Sequence, residues 1–218
     1  MGREGERCVI NDGGYVIATG SLLILYLAGW TADEPMPRSL AVGPDTACIV
    51  MDMVTEDRMS PLDSLTFEVG GHPIKICYGR PSARGRTMIG GRDVPYGKLW
   101  RTGANEPTMI HTTAPITVAG IELEKGSYSL YTRPGNEEWV VIINRSITQW
   151  GHIASYDYKV RKQEVGQANL PRERPEQHVE TMTFRTEPES DGTVILVMEW
   201  EQSRLRIPIA ATERSGKR

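Results

Sequence analysis

Cysteine is scarce in this chain, and neither charge sign is in real surplus. Three cysteines in 218 residues allow at most one internal bridge, which excludes a disulfide-stapled scaffold. Lys+Arg 25 against Asp+Glu 28 leaves a net charge of −3, which excludes a wholly basic protein that coats nucleic acid. Sustained helical periodicity is missing after residue 32, so a helical bundle is excluded. The four histidines, His72, His111, His152 and His178, show no H-x-H or H-E-x-x-H spacing for a metal. Gly91 to Leu99 is one residue too long for a phosphate loop and has Leu99 where Ser or Thr would bind magnesium. Gly126-Ser127-Tyr128-Ser129-Leu130 lacks the last glycine of a nucleophile elbow. No catalytic set, metal site or cofactor site is therefore expected from the sequence.

What is present begins with an uncharged run. Between Asp12 and Asp33 stand twenty residues without a charge, Gly13 to Ala32. As a helix they would reach roughly 30 Å, the hydrocarbon thickness of a bilayer. Leu22, Leu23, Ile24, Leu25 and Leu27 form the apolar centre, and Tyr15 and Trp30 stand near the ends, where amphipathic rings favour the headgroup level. The length favours an uncleaved anchor over a cleaved signal peptide, for which Ala28 to Ala32 offers no clean small-x-small site. A lipoprotein signal would need Cys where Trp30 stands. Arg3 and Arg7 before the span, against Arg38 after it, favour an N-terminus inside. Cys8 would then stay reduced, whereas Cys48 and Cys77 would face an oxidising space that allows, without requiring, a bridge between them.

The expected organisation is a short tail over 1–12, an anchor helix over 13–32 and a tether over 33–60. A β domain over 61–210 and a tail over 211–218 complete it. Twenty-two glycines and fourteen prolines fit a chain of many turns. Within the domain period-2 alternation dominates, as in Leu65, Phe67 and Val69, then Gly70-Gly71, then Ile74 and Ile76. Trp139 to Ile143 is apolar on both faces, so it should lie centrally. Leu205, Ile207 and Ile209 should point inward, with Arg204 and Arg206 outward. These patterns predict an all-β antiparallel sandwich or barrel of about eight strands, preceded by one transmembrane helix. Residues 165–177, polar and containing Pro171 and Pro175, read as a surface loop.

The segment from Tyr78 to Arg101 carries six cations (Arg80, Arg84, Arg86, Arg92, Lys98 and Arg101) and one acid, Asp93. Guanidinium forks suit carboxylate or phosphate, so this loop is a candidate anion or partner site, with Arg80, Arg86, Tyr96, Trp100, Arg101 and Asn105 as candidate residues. The competing reading pairs these arginines with acids and carbonyls of their own domain. Large aromatics of a β domain are also more often core than a ligand platform.

Several pieces, in order, carry a family resemblance: Tyr78, Arg80 and Pro81; Gly85 and Arg86; Pro95, Tyr96 and Gly97. They continue with Trp100 to Asn105; Gly126, Tyr128, Ser129 and Leu130; Trp139; Asn144; and Trp150 with Gly151. Over about residues 60–209 the chain resembles the bacterial domain of unknown function 2911. The resemblance implies a β-rich, exported or lipoprotein-like envelope protein and no established activity.

The anchor, together with a β domain lacking a catalytic constellation, leads to one expectation. The chain should be a single-pass protein of the bacterial inner membrane with its C-terminal domain in the periplasm. There it would bind or scaffold as an accessory subunit of a larger membrane complex (respiratory, photosynthetic or transport). Its expected partners are that complex and the lipid bilayer, not nucleic acid. The alternative is an exported module or hydrolase that takes a glycan or other small ligand, of unknown identity, through loop 78–105.

Overall fold

The computed structural model describes residues 47–50 and 58–212, all within the compact unit Arg38–Arg218. The expected anchor over 13–32, with Tyr15, Leu22, Leu23, Ile24, Leu25, Leu27 and Trp30, lies outside the described residues. Among the described residues no helix is long and apolar enough to cross a membrane.

Among the described residues eleven strands build the domain. They are β1 (Leu62–Val69), β2 (His72–Gly79), β3 (Thr108–Thr112), β4 (Ile116–Val118), β5 (Ile121–Leu123) and β6 (Gly126–Arg133), followed by β7 (Glu138–Asn144), β8 (Glu164–Glu173), β9 (Val179–Pro188), β10 (Val194–Glu201) and β11 (Ser203–Ala211). Every pairing between them is antiparallel. The order across the sheet is β1-β2-β3-β6-β7-β8-β11-β10-β9, with the β4–β5 hairpin attached to β11.

The two ends of this path meet. Beyond β2, Met182 of β9 donates its N–H to the Pro81 carbonyl at 2.9 Å, and Ala83 donates to the Glu180 carbonyl at 2.9 Å. The Ser82 and Thr181 hydroxyls lie 2.8 Å apart. The result is a nearly closed antiparallel barrel, which leaves little exposed sheet edge. The all-β expectation holds, at eleven strands rather than about eight.

Two strands that the sequence pattern does not show are β3 and β8. All five residues of β3 are buried, so it shows no alternation to read. Residues 165–177 are not a surface loop as far as Glu173, because β8 pairs with β7 from Glu164 to Pro171 and then with β11 through Arg172 and Glu173. Polar residues fill its outer face. Pro171 sits where pairing passes from one neighbour to the other, a position that tolerates a missing N–H.

The barrel interior is aliphatic and aromatic, with Ile76, Ile110, Leu130, Trp139, Val141, Leu196, Leu205 and Ile207 fully enclosed. Outside β6 and β7 a second cluster joins Tyr131, Ile142, Tyr156 and Val160. It lies under a turn at Ile153–Ser155 and the short helix α1 (Tyr158–Arg161). Asp157 caps α1 by accepting from the Lys159 and Val160 N–H groups at 2.8 and 2.9 Å, the usual role of Asp at that position. The Asn144 amide donates to the Val160 carbonyl at 2.8 Å. These two clusters explain why β7 is apolar on both faces: one face fills the barrel and the other is roofed by this segment. A disulfide joins Cys48 to Cys77 of β2, with Cα atoms 5.7 Å apart.

Candidate functional site

Between β2 and β3 the chain runs through the arginine-rich loop, and its last part is held rigidly. Trp100 exchanges backbone hydrogen bonds with Thr132 of β6 at 2.7 and 2.8 Å. Its indole stacks on Trp200 (5.7 Å between centroids, 21° between planes) and meets Trp139 edge-on at 6.1 Å. The indole N–H donates to the Gly103 carbonyl at 3.0 Å. Trp100 is therefore the core anchor of the loop.

The next residues carry backbone strain. Thr102 has φ +55° and Asn105 φ +63°, and a β-branched residue in the left-handed region is unusual and costly. Buried hydroxyls hold Thr102 in place: its Oγ1 donates to Thr132 Oγ1 at 3.0 Å, and Thr108 Oγ1 donates to the Thr102 carbonyl at 2.6 Å. The Asn105 amide donates to the Ser60 carbonyl at 3.2 Å. Gly151 lies against the same loop. A Cβ there would fall 2.2 Å from the Asn105 carbonyl oxygen and 2.3 Å from Arg101 Cδ, so only glycine lets the two segments touch.

With Trp100 turned inward, Arg101 faces a cleft of about 820 Å³, a volume within the range of small-molecule sites. Behind it Arg58 and Glu106 form a buried two-point ion pair at 2.9 and 3.0 Å. Arg86 lies at the rim, where it pairs with Asp93 at 3.3 Å and donates to the Ala83 and Ser82 carbonyls. Lys98 and His152 are exposed on the lining, beside the apolar Met59, Leu99 and Ile153.

Arg101 differs from its neighbours. Its Nε is buried with no acceptor, and among the described residues no other atom of its guanidinium forms a hydrogen bond. Burial pulls its pKa below the ordinary arginine value, while Tyr131 and Glu106 nearby favour the charge. An arginine stays protonated through such a shift, so the cleft contains a partly desolvated and unmatched positive charge.

The structure thus gathers Arg86, Trp100, Arg101 and Asn105 around one cleft and leaves Arg80 and Tyr96 outside it. Arg80 donates to the Met182 carbonyl at 3.1 Å and to Thr183 Oγ1 at 3.2 Å, and pairs with Asp63 at 3.4 Å. It fastens the barrel seam. Tyr96 receives a hydrogen bond from Arg172 at 3.4 Å, away from the cleft. A three-arginine clamp with Trp100 or Tyr96 as stacking platform is not assembled, because Arg80 and Arg86 are engaged internally and Trp100 is buried in the core.

Sequence reasoning missed Arg58 and Glu106, which stand 48 positions apart and meet only in the fold. It also missed Glu201, whose carboxylate accepts from the Met88 N–H (3.0 and 3.1 Å) and the Ile89 N–H (2.7 Å). That contact ties the arginine loop to the β10–β11 turn. Nothing local marks Glu201, which in sequence is a charged residue in a polar hairpin. Among the described residues no group of three or more His, Cys, Asp or Glu side chains is placed to hold a metal ion.

Fold and site together define an all-β antiparallel barrel with a braced arginine loop beside a cationic cleft. The chain belongs to the protein family of unknown function DUF2911, whose pattern matches residues 60–209. It matches no curated protein sequence and no solved structure.

Proposed function

We propose that the chain is a non-enzymatic binding module of the bacterial envelope. In this reading residues 13–32 anchor it in the inner membrane, and the barrel works in the periplasm as an accessory subunit of a larger membrane complex. The observation that carries the reading is Arg101. A guanidinium without a hydrogen-bond partner among the described residues, on a loop whose strain is offset by buried hydroxyls, is pre-organised for an anionic group supplied from outside. The Cys48–Cys77 disulfide supports an oxidising compartment. A second reading, a small ligand without a protein partner, is favoured by the cleft volume alone.

The test is affinity purification of the tagged full-length chain from membranes solubilised in mild detergent. Expected is a stoichiometric membrane partner that is lost in Arg101→Gln while that variant keeps the wild-type melting temperature. A strictly monomeric chain, or a partner indifferent to Arg101→Gln, refutes the reading. So does a chain that washes off vesicles in carbonate.

A further inference from the structure

The ligand chemistry of the cleft follows from which of its cations are already engaged. Both terminal nitrogens of Arg58 meet Glu106. Arg86 is held by Asp93 and two carbonyls, and the Asn105 amide by Ser60. Lys98 is exposed at the rim. Among the described residues of the lining, only Arg101 combines partial burial with a guanidinium that lacks an acceptor.

One desolvated positive charge matches a monoanion. A phosphate dianion would bring a second negative charge beside one desolvated cation, since the other cation, Lys98, stays exposed and hydrated at the rim, and burying an unmatched charge is unfavourable. The planar guanidinium fork also fits the two oxygens of a carboxylate.

Part of the remaining lining is apolar, and openly so. Five large hydrophobic residues are exposed among the described residues, and two of them, Met59 at 71% and Ile153 at 52%, line this cleft. Leu99 and Pro95 continue the apolar wall, with the buried Trp100 and Trp200 behind it. Exposed apolar side chains gathered beside a polar anchor are a mark of a binding surface.

We propose that the cleft takes a carboxylate carried on a short apolar group, with the carboxylate on Arg101 and the apolar group against Met59, Leu99 and Ile153. The proposal rests on the reading that this cleft is the binding surface. Two sources share this chemistry: an acyl-chain carboxylate and the C-terminal residue of a polypeptide.

Ligand-observed NMR titrations of the full-length chain in detergent test it, with octanoate, N-acetyl-leucine, N-acetyl-leucinamide and inorganic phosphate as probes. Expected is saturable binding of at least one carboxylate, at least tenfold tighter than the amide or phosphate, and weakened at least tenfold by Arg101→Gln. Tighter binding of octanoate identifies the acyl source; tighter binding of N-acetyl-leucine identifies the polypeptide terminus. Should Arg101→Gln fail to fold, Ile153→Asn at the exposed rim takes its place, with at least a fivefold loss expected and an unchanged melting temperature. The proposal is overturned if neither carboxylate saturates, if the amide or phosphate binds as well, or if the variant binds like the wild type. If a membrane partner still co-purifies through Arg101 while no carboxylate binds, this inference fails and the binding-module reading stands.

Discussion

Removing the Glu201 carboxylate probes how the arginine loop is held to the barrel. Glu201 occupies the β10–β11 turn with φ +53°, and its two oxygens serve the N–H groups of Met88 and Ile89, both residues being buried. Glu201→Ala strands two buried donors, each at about 1–3 kcal/mol, so the variant should lose about 3–5 kcal/mol. Glu201→Gln keeps an acceptor oxygen and loses only the charge assistance, which should cost about 1–2 kcal/mol. Glu201→Gly strands the same donors as Ala but relieves the left-handed backbone, which is worth about 1 kcal/mol. The expected order of stability is therefore wild type, Gln, Gly, Ala. Urea unfolding at constant m-value reads the series. Alanine within about 0.5 kcal/mol of wild type, the scatter of an ordinary surface change, would refute the anchoring role. Glycine less stable than alanine would refute the strain argument.

Other consequences can be checked in the same way. Trp139 is fully buried against Trp100, so Trp139→Ala should cost roughly 3–5 kcal/mol, and a near-neutral melting result would contradict its central place. Gly151→Ala forces a methyl group onto the Asn105 carbonyl. It should lower stability by about 1–3 kcal/mol, as overpacking does, and weaken carboxylate binding by shifting Arg101; an unchanged melting curve would mean that the contact gives way without cost. Burial pushes the Tyr131 phenol up to about 12, against the opposing pull of the Gln149 hydrogen bond and the Arg101 charge. The folded state thus holds this proton more tightly than the unfolded one. The stability linked to it is complete below the ordinary tyrosine value near pH 10 and should fall by about 2–3 kcal/mol as pH rises from there towards 12. In absorbance titration at 295 nm, Tyr131→Phe should remove a transition near pH 12, and loss of one near pH 10 instead would refute the assignment.

Much of the barrel was legible because its strands alternate. Leu205, Ile207 and Ile209 are fully buried while Arg204 and Arg206 face outward, and Gly70-Gly71 turns β1 into β2 in the register expected of a two-residue hairpin. Trp139 to Ile143 lies centrally, as its doubly apolar pattern predicted. Alternation failed for β3, which is buried on both faces, and for β8, whose inward residues Val165 and Leu170 are only partly buried. A strand with no contrast between its faces carries no period to read.

The site divides along the same line. Composition and motif determined that cations concentrate between Tyr78 and Arg101, that the chain turns often, and to which family it belongs. Which of those cations is available for a ligand was decided only by the tertiary structure. Arg80 is taken up by the barrel seam, Arg86 by Asp93 and two carbonyls, and Trp100 by the Trp139 and Trp200 rings. Among the described residues Arg101 is left as the partly buried guanidinium of the cleft without an acceptor, while Lys98 stays exposed at the rim. Local sequence sets which charges exist and the periodicity of the strands around them. Whether a charge finds a partner depends on residues a hundred positions away, such as Glu201 and Met182, that only the closed barrel brings into reach.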